Sequence, residues 1–278
     1  MKIDAEVFFW KYEKSVDHPF IRNHKLMQQN YLPEQISQSL QRNGVAGCIA
    51  VVAEPGEVET RFLSELALTH PEIRGVIGWI DLNDEKATEK IEALRTYVPV
   101  RGYRLEMNNQ NLPGPAVMEK LLEHQYTLDL SIEADSSPAV VSHWISVNRD
   151  QPFILQNCGN PDAGMPPSAA WEKLIRDLSQ HQNLSCKVSG LLERGHWKSW
   201  KPADYYPFLE ILFESFGPEK LLYASDWPFL LLSGIYIQWK SLLEKFTEKF
   251  SAEERDKFFG ENAERLYRLK KHDTIPEN

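Results

Sequence analysis

Cysteine is scarce in this 278-residue chain: Cys48, Cys158 and Cys186 are an odd number and lie far apart. Each falls in or at the end of an apolar, strand-like stretch, which excludes a disulfide framework or a cysteine zinc cluster and reads as three reduced core thiols in a cytoplasmic protein. No apolar run approaches the ~18 residues of a membrane span. The N-terminus, Met1-Lys2-Ile3-Asp4-Ala5-Glu6, lacks the basic region, long apolar stretch and small-residue cleavage site of an export signal. A cationic surplus is missing too. With 31 Lys and Arg against 40 Asp and Glu the formal net charge is −9, and the scattered basic residues argue against a nucleic-acid partner. No Gly-rich phosphate loop follows the first apolar stretch, and no linker or low-complexity block divides the chain, so residues 1–278 are read as one domain.

What the chain does contain is a repeat. Short segments rich in β-branched and aromatic residues stand at 2–9, 47–53, 73–81, 100–107, 127–133, 152–157, 183–190 and 220–226. Amphipathic stretches near 34–43, 57–69, 85–96, 115–124, 138–148, 169–180, 204–216 and 235–248 separate them. Connections of that length cross back over a sheet and make neighbouring strands parallel. The pattern predicts an α/β fold, a (β/α)8 TIM-type barrel, whose usual length of ~250 residues matches. An open doubly wound sheet shares the alternation and is the alternative. A C-terminal helical extension at about 250–270 follows the eighth unit, and the loop 10–33 is the largest departure from the repeat.

In such a barrel the chemistry collects where strands end. His70, His124 and His181 precede strands and belong to the opposite rim, whereas His18, His24 and His196 lie in loops that leave strands, where a solvated histidine is the plain reading. Alternation along the first strand puts Asp4, Glu6, Phe8 and Trp10 on one face and Ile3, Ala5, Val7 and Phe9 on the other, helix-facing one. Glu6 then points into the barrel, where a carboxylate needs a cation, and Arg104 and Lys187 are the natural partners. This pairing is either a structural ion pair or part of a substrate site. At the end of the eighth strand Asp226 stands at the rim as a candidate general base, with a loop-fixing cap as its plain reading.

Six segments occur in order along the chain: IDAEVFFW at 3–10, GVIGWIDL at 75–82, GYR at 102–104, CKVSGL at 186–191 and ASDWP at 224–228 on or beside strands, and FGENAERLYRL at 259–269 in the C-terminal extension. Together they resemble the amidohydrolase superfamily, in its branch of sugar-acid lactonases and 2-pyrone-4,6-dicarboxylate lactonase. The resemblance implies a distorted barrel in which Asp226, at the strand-eight position, activates a water against a lactone or similar carbonyl. Many such relatives carry a His-x-His pair on strand one and a histidine ending strand six. Here Glu6 and Phe8 replace the pair, and Gln156-Asn157-Cys158-Gly159-Asn160-Pro161 stands at the strand-six position. Because the imidazoles are replaced, no divalent metal and no other cofactor is expected.

The resulting expectation is a metal-independent hydrolase of a small polar lactone. Asp226 is the catalytic base, and Glu6, Arg104, Lys187 and Asn157 contact the substrate. Phe8, Trp10, Trp79 and Trp227 supply apolar walls. A catalytically inactive barrel that binds a ligand or partner is the competing reading, and a metal enzyme recruiting His18, His24 or His196 is the third. The partner is a small molecule, with neither nucleic acid nor membrane, and the chain is a monomer or homodimer. The loop 192–203 (LERGHWKSWKPA) covers the pocket, forms a subunit contact or is simply exposed.

Overall fold

The computed structural model describes residues 1–13, 19–96, 99–107, 112–132, 137–197 and 199–269. His18 lies outside the described residues. Eight parallel strands pair in sequential order, β1 (Ile3–Phe8), β2 (Gly47–Val51), β3 (Ile73–Gly78), β4 (Val100–Met107), β5 (Thr127–Ile132), β6 (Phe153–Leu155), β7 (Leu184–Val188) and β8 (Leu221–Tyr223). An order that never reverses has no switch point, which rules out the doubly wound alternative. Short helices α1 (Pro19–Asn23) and Lys25–Met27 occupy the long first loop. The crossovers are α2 (Pro33–Arg42), α3 (Glu57–Thr69), α4 (Ala87–Leu94), α5 (Pro115–Glu123), α6 (Pro138–Val147), α7 (Ala169–Ser179), α8 (Pro202–Phe216) and α9 (Tyr236–Thr247). Among the described residues no helix is long and apolar enough to cross a membrane.

The strands are nearly continuous buried runs because helices cover one face and interior side chains fill the other. Closure between β1 and β8 falls beyond the short last strand: Phe8 N donates to the Trp227 carbonyl at 2.7 Å and Asp226 N to the Glu6 carbonyl at 3.1 Å. The barrel is thus sealed by the ASDWP segment itself, which fixes Asp226 at the rim. Its φ of 60° is left-handed, a conformation that aspartate tolerates better than most residues.

The strict alternation expected along β1 does not hold. Between Asp4 and Val7 the register against β2 gains a residue, since Asp4 pairs with Cys48 and Val7 with Ala50. That bulge breaks the alternation. Asp4 reaches Tyr236 of α9, whose hydroxyl donates to Oδ2 at 2.9 Å, and its Oδ1 accepts Ser225 N at 2.8 Å. Glu6 faces the interior.

The C-terminal stretch is one helical run with a wide turn inside it: α10 (Ala252–Asp256), a π turn at Lys257–Glu261 and α11 (Asn262–Leu266). Gly260 in that turn lies against the Met1 carbonyl with no room for a Cβ. Beyond it Tyr267, fully buried, donates from its hydroxyl to Asp129 Oδ2 at 2.9 Å. The extension therefore sends a side chain into the barrel interior, not merely along its outside.

Candidate active site

A cavity of about 230 Å³ opens at the C-terminal ends of the strands. Phe8 closes β1 against it, Ala53 and Glu54 follow β2, and Arg104 and Glu106 project from β4. Asn157 follows β6, Glu193 and Arg194 follow β7, and Asp226 and Phe229 follow β8. A larger groove of about 540 Å³ runs between α5 and α6, lined by Met118, Leu122, Trp144 and Val147. It contains none of these strand-end groups, so the smaller cavity is the candidate site.

Asp226 is buried, and its Oδ2 has no hydrogen-bond partner among the described residues. Burial pushes its carboxyl well above the usual carboxylate range, and Glu193 and then Glu6 push in the same direction. Glu193 meets it carboxyl to carboxyl; burial raises this group too, opposed by Arg194, whose Nε lies 3.4 Å from Glu193 Oε1.

Arg104 is fixed from below: Nη1 donates to the carbonyls of Val52 at 3.2 Å and Ala53 at 3.4 Å, and Nη2 lies 3.3 Å from Glu106. Its partner is therefore Glu106, not Glu6. Lys187 fills that role, with Nζ 3.5 Å from Glu6 Oε1. Gln156 Nε2 donates to the same oxygen at 2.9 Å, and Ser189 Oγ lies 2.7 Å from Oε2. Ser189 also lies 2.8 Å from Asn157 Oδ1, and its one proton goes to the charged acceptor. Asn157 has a left-handed φ of 48°, and Gly190, at φ 74°, passes so close that a Cβ there would stand 2.9 Å from Asn157 Cβ.

The structure brings Phe8, Arg104, Asn157 and Asp226 to the cavity wall. Glu6 and Lys187, both fully buried, sit apart from that wall as an interior ion pair. Trp10 backs the wall at one remove, stacked on Phe229 at 5.5 Å. Trp227 packs edge-on against Tyr31 at 5.2 Å, and the half-buried Trp79 is held through its backbone by Thr60 Oγ1. Neither reaches the cavity. His24 packs on Trp197 at 5.2 Å within electrostatic reach of Glu193, while His196 is exposed.

Ala53, Glu54, Glu106, Glu193, Arg194 and Phe229 complete the lining; none was named from the sequence as a site residue, although Glu193 and Arg194 belong to the loop 192–203, for which a place over the pocket was one reading. Glu106 was within reach, since it shares a strand face with Arg104 two residues away. Glu193 and Arg194 lie in a loop, where no periodicity marks direction.

The donors here suit zinc poorly. The cavity lining holds no histidine or cysteine, and among the described residues no three of its carboxylates, Glu54, Glu106, Glu193 and Asp226, bring ligand atoms within 4.8 Å of one another, as a catalytic zinc with three protein ligands requires. Among the described residues, one set of three His, Cys, Asp or Glu side chains brings ligand atoms within 4.8 Å of one another: Glu92, Glu123 and His124. That set lies on α4 and at the C-terminal end of α5, and Lys120 Nζ occupies it at 3.1 Å from Glu92 and 2.6 Å from Glu123.

Known proteins resemble the chain over nearly its whole length. An L-fucono-1,5-lactonase of Burkholderia multivorans is 28% identical over 290 residues, covering 97% of this chain and 96% of its own. A Burkholderia multivorans amidohydrolase, solved with bound zinc, superposes with a TM-score of 0.88 at 26% identity, covering 97% of this chain and all of that one. The fold is shared with a 2-pyrone-4,6-dicarboxylic acid hydrolase structure from Pseudomonas putida, at a TM-score of 0.69 and 21% identity, over 97% and 98% of the two chains. The family model described as amidohydrolase matches residues 3–269, and this chain is a member of that family.

Proposed function

We propose that the chain hydrolyses a small polar lactone by attack of water, with Asp226 receiving the water's proton and no tightly bound metal taking part. The observation that carries this reading is the buried, unpartnered Oδ2 of Asp226 on the wall of a cavity that also holds Arg104. A desolvated carboxyl is a stronger base when ionised, and a nearby guanidinium stabilises the negative charge that develops on the lactone carbonyl oxygen. The lactonase relative, similar along nearly its full length, supports the reaction class. A lactone is an activated ester, so a base and a cationic donor suffice in principle.

Between the two substrate classes, the lining favours a sugar-acid lactone over a dicarboxylate one. Glu54, Glu106, Glu193 and Asp226 face Arg104 and Arg194, a set that accepts hydrogen bonds from hydroxyls and repels further carboxylates. The replaced imidazoles also suit the competing reading, a barrel that binds such a molecule without turning it over. A pH-indicator screen against aldonolactones and dicarboxylate lactones, with and without chelator, tests all of this. The expected result is turnover of an aldonolactone at the same rate in chelator. Silence across the panel, with binding of an aldonolactone retained, supports the non-catalytic barrel; loss of activity in chelator contradicts the metal-free mechanism.

A further inference from the structure

We propose that Glu193 is a second proton-transfer residue of this site, forming with Asp226 a carboxyl pair that holds a single proton and serves as both acid and base. The proposal rests on the hydrolase reading above.

The two groups arrive from adjacent strand ends, Glu193 on the loop after β7 and Asp226 just after β8, and both line the same cavity. The Glu193 side chain is 12% exposed and Asp226 is 2% exposed. The cations nearby are unequally placed. Lys187 is engaged by Asp129 at 2.6 Å and by Glu6 at 3.5 Å, and Arg104 by two carbonyls and Glu106. Arg194 reaches Glu193, and His24 bears on Glu193 from the first loop. The charges that bear on Asp226 directly are Glu193 and Glu6, both repulsive, with Arg194 the smaller, opposing influence. Glu54 and Glu106 add negative charge to the same cavity. Two carboxyls in contact under these conditions do not both ionise; one proton stays between them. It rests on Asp226, the more buried member, while Glu193 stays ionised beside Arg194.

The reaction then balances. As the water oxygen bonds to the lactone carbonyl carbon, the carbonyl π pair moves onto its oxygen. The water's proton passes to Asp226 Oδ2, and the proton held between the carboxyls shifts onto Glu193. When the tetrahedral species collapses, the ring C–O bond breaks with its electron pair on the ring oxygen, which takes one proton from the pair. The pair ends with one proton, as it began, and the new carboxylic acid releases its remaining proton to solvent.

Carbon-13 NMR of the full-length protein labelled at aspartate and glutamate side-chain carboxyls, with Asp226→Asn and Glu193→Asp to assign the signals, tests the pairing without any substrate. The pair predicts that both carboxyl signals follow the same two titration steps in the wild type. In Glu193→Gln the Asp226 midpoint falls by about one pH unit or more once the like charge is gone. Independent single-step titrations in the wild type, or an unmoved Asp226 midpoint in folded Glu193→Gln, overturn the proposal. With an aldonolactone, Glu193→Gln is expected to lower kcat by about 10²-fold with KM little changed, and to remove the alkaline fall in the pH profile. Coupled titration without any lactone turnover leaves the pair standing and overturns its catalytic role together with the hydrolase reading.

Discussion

The ammonium of Lys187 lies 2.6 Å from the Oδ2 of Asp129, and both groups are fully buried. Glu6 from β1 and the Tyr267 hydroxyl from the C-terminal extension complete the cluster, so one lysine on β7 links three strands and the end of the chain. Burial pushes its pKa down, but Asp129 and then Glu6 push it up further, and the net direction is up. The lysine stays charged.

Removing that charge leaves Glu6 and Asp129 buried without their cation. Lys187→Met is expected to lower unfolding stability by about 3–5 kcal/mol, measured by urea denaturation. A loss below about 1 kcal/mol contradicts the cluster as a structural ion pair.

Asp4 gives a pH dependence of known sign. Burial raises its pKa from 3.8 to about 6, against hydrogen bonds from Ser225, Tyr236 and the Glu6 backbone that lower it. A carboxyl held above its unfolded value binds its proton more tightly in the folded state, so its contribution to stability falls as pH rises from 3.8 to about 6 and is constant above. Asp4→Asn removes this slope. Relative to the variant, the wild type should lose about 3 kcal/mol across that window, read from urea unfolding at a series of pH values. Parallel stability curves contradict the account.

Gly190→Ala is strained twice, by a φ of 74° and by a Cβ 2.9 Å from that of Asn157. The expected loss is about 1–3 kcal/mol, with a fall in lactone turnover larger than the loss of folded protein explains, because Asn157 must move. Thermal unfolding combined with kcat/KM checks this; unchanged kinetics in a destabilised variant would separate Asn157 from the chemistry.

The barrel was legible because its signals are local and repeated. Eight apolar runs and eight helical periods fixed strand order, and β6 differs from its reading only in length, Phe153–Leu155 within 152–157. The site was legible only where a side chain stood on a regular strand or just past it. Arg104 and Asp226 were found that way. Asp4 was misplaced because a bulge shifts the face without changing residue type, and Glu193 escaped because loop direction is set by tertiary packing. Lys187 was rightly paired with Glu6, but its depth follows from Asp129 and Tyr267, which lie 58 and 80 residues away in sequence.

Arg104 is anchored independently of any substrate, so its loss should impair the reaction more than folding. Arg104→Met is expected to lower kcat on an aldonolactone about 10²-fold, with the melting temperature moved little. A rise in KM with kcat unchanged would instead confine the guanidinium to substrate binding.

The most direct measurement is kcat/KM of Asp226→Asn against wild type on an aldonolactone in chelator, with circular dichroism to show that the barrel is intact. The account predicts a loss of about 10²–10⁴-fold in a folded variant. Activity within a few-fold of wild type would contradict it.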